Sequence, residues 1–260
     1  MKKSLYIGYD LTKGYEHCAE KIKSAGFTHT FLNWETRGSD CFEQVRICER
    51  LGLEIETAHT SFANINAMWL DAADGDDMTE RFVQDVYNAK ACGIPVLIVH
   101  VSSGFTPPPY NELGLSRFRK ICEAAEKNGV QIAFENLRVV AYLDYVMENI
   151  DSPAKRFCFD CGHELIYNQG CGVLEKYAPL LSALHLHDNF GSHDDHLLPF
   201  DGKINWETLA ERISHALKGR PEIPLTLEVM KADAEPDFAE KAFARACRIE
   251  SLVKSFALNH

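Results

Sequence analysis

Apolar runs and amphipathic stretches alternate along the whole chain. Leu5–Tyr9 reads as a buried strand, followed by a helix over Tyr15–Ala25 stopped by Gly26. Thr28–Asn33 reads as strand two, with a helix over Cys41–Leu51 closed by Gly52, and Leu53–His59 as strand three, with a helix over Met78–Cys92 closed by Gly93. Pro95–Val101 is strand four, with a helix over Leu115–Asn128 closed by Gly129; Val130–Glu135 is strand five, with a helix over Ala141–Ile150. Arg156–Asp160 is strand six, with a short helix near His163–Tyr167. Ser182–His187 is strand seven, with a helix over Trp206–Leu217, and Ile223–Val229 is strand eight, with a last helix over Pro236–Phe256. Glycine just past a helix is the expected left-handed cap, and four of these helices have one. Strands alternating with helices imply a parallel sheet, and eight pairs close a (β/α)8 TIM barrel. A doubly wound sheet is disfavoured, because no Gly-x-Gly-x-x-Gly follows strand one. The 260 residues suit one α/β barrel domain spanning 1–260, although length alone also allows two smaller domains. Thr106–Pro109 reads as a stiff loop on the rim.

Six residues of metal-ligand type fall where these strands end: His59, His100, Glu135, Asp160, His187 and Glu228. The C-terminal rim of an α/β barrel is where active sites are built. Core packing explains such a set poorly, because an unpaired charge is costly to desolvate. Two Glu, one Asp and one His make a hard, oxygen-rich site suited to Mn²⁺, Mg²⁺, Co²⁺ or Zn²⁺. Glu135, Asp160, His187 and Glu228 are the four chosen for it. His163, three residues past Asp160, would face the same cavity as a substrate or metal contact; alone it reads as a helix-start residue. His59 and His100 fit either a second metal or hydrogen bonds to a polyol. Asp194-Asp195-His196 reads alone as a solvated acidic loop, and with His187 as a loop that could close over the site. His185 shares a strand face with His187 and reads as a neutral histidine packed one layer deeper. Trp34, Phe62 and Trp69 could stack on a sugar face or simply pack the core and rim.

Composition narrows the field. A net charge of −11 argues against general nucleic-acid binding, which favours a basic surface. Nine cysteines show no secreted disulfide spacing, and Cys158-Phe-Asp-Cys161 has no partner pair that would make it a zinc or redox motif. The first ten residues hold too few apolar positions for a signal-peptide core, and no apolar run approaches the ~20 residues of a membrane span. The expectation is a cytoplasmic protein with reduced thiols and no membrane partner.

The set His59, His100, Glu135-Asn136, Asp160-x-Gly-His163, His187-x-Asn189 and Glu228, with Asp201-Gly-Lys-Ile-Asn-Trp206, resembles the xylose isomerase-like TIM barrel superfamily over nearly the whole chain. That group contains sugar-phosphate isomerases and epimerases, inosose dehydratases and abasic-site nucleases of the endonuclease IV type. In the ketose 3-epimerases it resembles, the residues matching Glu135, Asp160, His187 and Glu228 bind one divalent metal. The two Glu also move protons on opposite faces of the substrate, and the residue matching His163 contacts the sugar. Those enzymes have a further Glu where this chain has Ala141, and an Arg where it has His193, which disfavours a free-ketohexose epimerase. The nuclease branch uses a three-metal cluster whose ligand types match His59, His100, Glu135, Asp160, His163, His187, Asp194, His196 and Glu228. The resemblance therefore implies a divalent-metal-dependent sugar isomerase or epimerase working through an enediolate, with a nuclease or an inosose-type dehydratase as alternatives. A barrel that only binds a metabolite is a further alternative, against which the complete ring of ligand types stands. With no Gly-rich phosphate loop after strand seven or eight, an unphosphorylated sugar or sugar acid is the expected substrate. By analogy with such barrels, a homo-oligomer is expected.

Overall fold

The structure is a computed structural model that describes residues 1–10, 12–34, 40–220, 222–230, 235 and 237–257. In chain order it runs β1 (Lys3–Tyr6), α1 (Gly14–Ala25), β2 (His29–Trp34), α2 (Asp40–Leu51), β3 (Glu54–Thr60), a 3-10 turn (Ile65–Trp69) and α3 (Ala73–Ala91). It continues β4 (Val96–Val99), α4 (Glu112–Asn128), β5 (Gln131–Glu135), α5 (Val140–Asn149), β6 (Lys155–Asp160), α6 (Cys161–Tyr167) and α7 (Val173–Tyr177). It ends with a 3-10 turn (Ala178–Leu180), β7 (Leu181–His185), α8 (Trp206–Ala216), β8 (Leu225–Leu227) and α9 (Phe238–Ala257). The eight strands are all parallel, in the order β7-β6-β5-β4-β3-β2-β1-β8. A bridge between Leu186 and Leu227 brings the two ends together. There the Leu186 amide donates to Thr226 O at 2.9 Å, and the Glu228 amide to Leu186 O at 3.2 Å. The barrel is thus nearly closed, as the strand count implies.

The local causes are visible in α4. Asn111 caps its start by accepting from the Gly114 amide at 2.9 Å, and Gly129 ends it at φ 69. Leu115, Phe118, Ile121, Cys122 and Ala125 form the buried stripe between these ends. Gly114 has a packing reason as well: a Cβ there would lie 2.1 Å from the Trp69 ring. Trp69 is buried and donates from Nε1 to Val101 O at 2.8 Å, so it is a core residue and not a sugar platform. Gly26, Gly52 and Gly93 also adopt the left-handed conformation expected of caps.

Some boundaries differ from those read off the pattern. α3 begins at Ala73 because its first turn, with Asp74 and Asp76, is polar; acids there suit the helix dipole without any apolar signature. β1 stops at Tyr6, and β8 is confined to Leu225–Leu227. The short helix α7 has too few turns for a period to show. Pro236, expected to open the last helix, lies outside the described residues. No helix among the described residues is long and apolar enough to cross a membrane.

Two packing regions result. The larger fills the space between strands and helices; the smaller joins Val96, Ile98, Ala133, Cys158 and Ala183 inside the barrel. Ile98, Ala133, Cys158 and Ala183 lie two residues before the polar groups of the rim on their strands and so form an apolar layer beneath them. Lower down, Glu56 of β3 is buried and accepts from Thr226 Oγ1 of β8 at 2.6 Å. β3 and β8 are not neighbours in the sheet, so this bond crosses the barrel interior.

Burial pushes the Glu56 carboxyl up to about 7 from an ordinary 4.5. A raised carboxyl contributes stability that is whole below the unfolded value and is lost as pH rises through about 7, here by roughly 3 kcal/mol. Glu56→Gln should therefore flatten the fall in stability between about pH 5 and pH 8, measured by urea unfolding at both. A variant with the wild-type slope would show that Glu56 does not cause it.

Candidate active site

The strand ends deliver their polar residues to one rim. Glu135, Asp160 and His185 are the last residues of β5, β6 and β7; His59 lies one residue before the end of β3; His100 and Glu228 lie just past β4 and β8. His163 is in the first turn of α6, where Asp160 caps the helix by accepting from its amide at 2.6 Å. Asp194 and His196 come from the loop between β7 and α8.

Glu135 is the centre. Its carboxylate is 1% exposed and has imidazoles around both oxygens. Oε2 lies 3.0 Å from His100 Nε2 and 3.4 Å from His59 Nε2; Oε1 lies 3.2 Å from His185 Nδ1 and 3.5 Å from His163 Nδ1. Burial by itself would raise the Glu135 carboxyl, but His185, His100 and His163 outweigh it and hold it well below the usual range. Burial likewise opposes charge on the histidines. In His163 it is overcome by Asp160, Asp194 and Glu135, and in His185 by Cys158, Glu228 and Glu135, so both are raised well above the ordinary value. In His100 burial wins and the value falls.

A second set flanks the first. Glu228 Oε2 lies 3.0 Å from His185 Nδ1. Burial would raise its carboxyl, but His185 and His196 bring it down to about 2. His163 Nε2 lies 3.0 Å and His196 Nε2 3.6 Å from Asp194 Oδ2. His196 Nδ1 donates to Glu228 O at 2.7 Å, and His59 Nδ1 to Thr60 O at 2.9 Å, so carbonyls orient both rings and turn Nε2 into the site. Burial opposes charge on His196, but Asp194 and Glu228 raise it to about 9. His196 also holds φ 48, a left-handed backbone unusual for histidine.

Three groups of donor atoms lie close enough to hold a metal ion: His59, His100 and Glu135; Glu135, Asp160, His185 and Glu228; and His187, His196 and Glu228, the atoms of each within 4.8 Å of one another. Here the structure differs from the sequence reading. His185, expected to be a neutral packed residue, joins Glu135, Asp160 and Glu228, while His187 reaches the same carboxylates from another side, beside Asp160 and grouped with His196 and Glu228. The register is the reason: β6 and β7 pair with a shift between Phe157 and Cys158, which sets Asp160 opposite His185. His187 Nε2 lies 3.2 Å from both Asp160 oxygens, its ring stacks on His196 at 4.2 Å, and a Cβ on Gly162 would lie 1.9 Å from it. Of the aromatic candidates, Phe62 is on the rim, 38% exposed and stacked on His100 at 4.5 Å, while Trp34 is buried.

Two further residues position the site without ligand or base chemistry having been assigned to them from the sequence. Asn136 accepts from the Asp160 amide and donates to the Asp160 carbonyl, both at 2.8 Å, and so ties β5 to β6 below the carboxylate. Asp188 is buried and accepts from the amides of Asn189, Phe200 and Ile204 and from Trp206 Nε1. Gly202 permits this clasp, since a Cβ there would lie 2.2 Å from Asp188 Oδ1. The Asp201-to-Trp206 motif could have pointed to Asp188, because a buried indole N–H needs an acceptor.

A family model described as "Xylose isomerase-like TIM barrel" matches residues 19–247. The uncharacterized protein y4fM of Sinorhizobium fredii is 29% identical, over 94% of this chain and 91% of that protein. Among solved structures, a D-tagatose 3-epimerase-like protein superposes with a TM-score of 0.78 at 21% identity, covering 98% of this chain and 99% of that one. The D-psicose 3-epimerase of Clostridium cellulolyticum H10, solved with D-tagatose, gives 0.75 at 14% identity, with 99% of each chain covered.

Asp188→Ala should leave buried donors without an acceptor and cost roughly 3 kcal/mol or more. Urea unfolding would measure the loss, and amide exchange should rise within residues 189–205. Unchanged protection there would remove Asp188 as the organiser of the loop.

Proposed function

This chain belongs to the xylose isomerase-like TIM barrel family, and on that premise we propose that it is a divalent-metal-dependent isomerase or epimerase of a small polyol, keto-sugar or sugar acid. The observation that carries this reading is the pair of buried Glu135 and partly buried Glu228 on either side of His185, with Asp160 completing the group. Three carboxylates and one imidazole form a hard donor set that fits Mn²⁺, Zn²⁺, Mg²⁺ or Co²⁺, and carboxylates this close call for a cation among them. Glu135, Asp160, His185 and Glu228 would hold the ion. Bound there, it would supply Lewis-acid polarisation of a substrate carbonyl and so acidify the neighbouring C–H.

The chain's own residues do the rest. Glu135 and Glu228 are both held ionised, the state a general base requires. One would take the proton next to the carbonyl and leave an enediolate. His163, held protonated with Nδ1 facing Glu135 Oε1 at 3.5 Å, would steady an oxygen of that enediolate. Return of the proton by the other Glu gives epimerisation, and return to the adjacent carbon gives isomerisation. His59 and His100 would bind substrate hydroxyls. Neither Ala141 nor His193, both exposed, supplies the additional Glu or Arg of the ketose 3-epimerases.

One observation favours a second reading. The three donor groups adjoin, with Glu135 and Glu228 each shared by two, an arrangement that would also hold several ions for abasic-site cleavage. Metal content of protein purified without chelator separates the readings. One ion per chain supports the sugar enzyme; two or three, together with incision of abasic duplex DNA that weakens steeply with salt, support the nuclease. For the sugar enzyme, Glu135→Gln should lower turnover and solvent-deuterium incorporation on a panel of ketoses and inososes by about a thousandfold, with its thermal transition still cooperative. Full activity in that variant would end the proposal.

A further inference from the structure

The three rim segments that carry His100, Glu135 and His163 also build a stack above them. Phe105 follows His100 in the loop after β4, Arg138 follows Glu135 after β5, and Tyr167 lies one helical turn beyond His163 on α6. The Arg138 guanidinium carbon lies 5.1 Å from the Tyr167 ring centre and 5.8 Å from that of Phe105. The two rings meet edge-on at 5.7 Å, with Phe105 71% exposed. The Tyr167 ring in turn lies 5.8 Å from the His163 ring, and His163 Nδ1 lies 3.5 Å from Glu135 Oε1. A continuous line of contacts thus runs from the proposed base outward to the guanidinium.

Elsewhere Arg117, Arg119 and Arg212 each pair with a carboxylate. Arg138 has no salt bridge or hydrogen bond to any of the described residues; the rings are what hold it. Contact with aromatic rings attracts a guanidinium without neutralising its charge or occupying its N–H donors. The result is a partly exposed guanidinium on the rim with its donors unpaired among the described residues, a fork that can receive a carboxylate or phosphate through two parallel hydrogen bonds. We propose that Arg138 binds an oxyanion at the end of the substrate remote from the reacting carbons, so that the substrate is an acidic sugar, bearing a carboxylate or a phosphate ester, and not a neutral one. This rests on the sugar-enzyme reading above.

The test uses one ketose with three different ends: D-fructose, D-fructuronate and D-fructose 6-phosphate. Each is titrated calorimetrically into the full chain reconstituted with Mn²⁺, as wild type, Arg138→Gln and Arg138→Lys. Wild type should bind one charged ligand at least about tenfold tighter than D-fructose, and which one identifies the oxyanion. Arg138→Gln should bring that ligand to within about twofold of D-fructose while leaving D-fructose itself unchanged, and Arg138→Lys should recover part of the preference. A stacking residue with a purely structural role would shift all three ligands together. Equal behaviour of the three ligands in wild type, or a preference that survives Arg138→Gln, overturns the inference. Deuterium exchange followed in the same samples separates the two ideas. Exchange without charge preference removes the role of Arg138 and leaves the isomerase reading standing. A preference lost in Arg138→Gln but without exchange in wild type keeps the oxyanion site and removes the isomerase.

Discussion

A carboxylate that is 1% exposed cannot remain ionised without close compensation, and Glu135 obtains it from imidazoles on four different rim segments. That requirement ties the top of the barrel together. His59, His100, His163 and His185 sit on β3, past β4, on α6 and on β7, so bringing them around one side chain needs the sheet to curve almost into a closed ring. The compensation runs both ways. Glu135, Glu228 and Asp194 keep His163, His185 and His196 charged, and those histidines keep the carboxylates ionised. A divalent ion held by these groups would take over much of this balancing.

Around the cluster, positioning falls to residues that do no chemistry. Asn136 links β5 to β6 with a reciprocal pair of hydrogen bonds, and Asp188 gathers the loop that supplies Asp194 and His196. Gly162 and Gly202 are glycines because a histidine ring and a carboxylate occupy the space of their Cβ atoms. Below, Ala133 and Ala183 belong to an apolar layer, and Glu56 bonds to Thr226 across the barrel interior. The barrel interior is thus polar at two levels with an apolar layer between them.

The architecture was legible because each of its elements has a short-range cause. Val96–Val99 is apolar on both faces, as a strand covered on both sides must be. Gly26, Gly52, Gly93 and Gly129 mark helix ends, since only a left-handed residue lets the chain turn back into the sheet. What lacked a period was missed: the one-turn helix α7 and the polar first turn of α3. Trp69 could not be assigned from the chain alone, because its burial depends on Gly114, which is far away in sequence.

At the site, strand alternation placed both His185 and His187 on the inner face of β7, and the ends of the other strands marked Glu135, Asp160 and Glu228. That His185 as well as His187 meets those carboxylates depends on the shifted register of β7 against β6, a relation between two strands that neither carries in its own sequence. The same holds for Arg138, which in the chain is one more charged residue past a strand and in the fold lies against both Phe105 and Tyr167. By itself the sequence determined the barrel and the kinds of groups on its rim, because periodicity and capping act within a few residues. The tertiary structure decided which of those groups share an oxygen, because that depends on strand register and loop packing between distant parts of the chain.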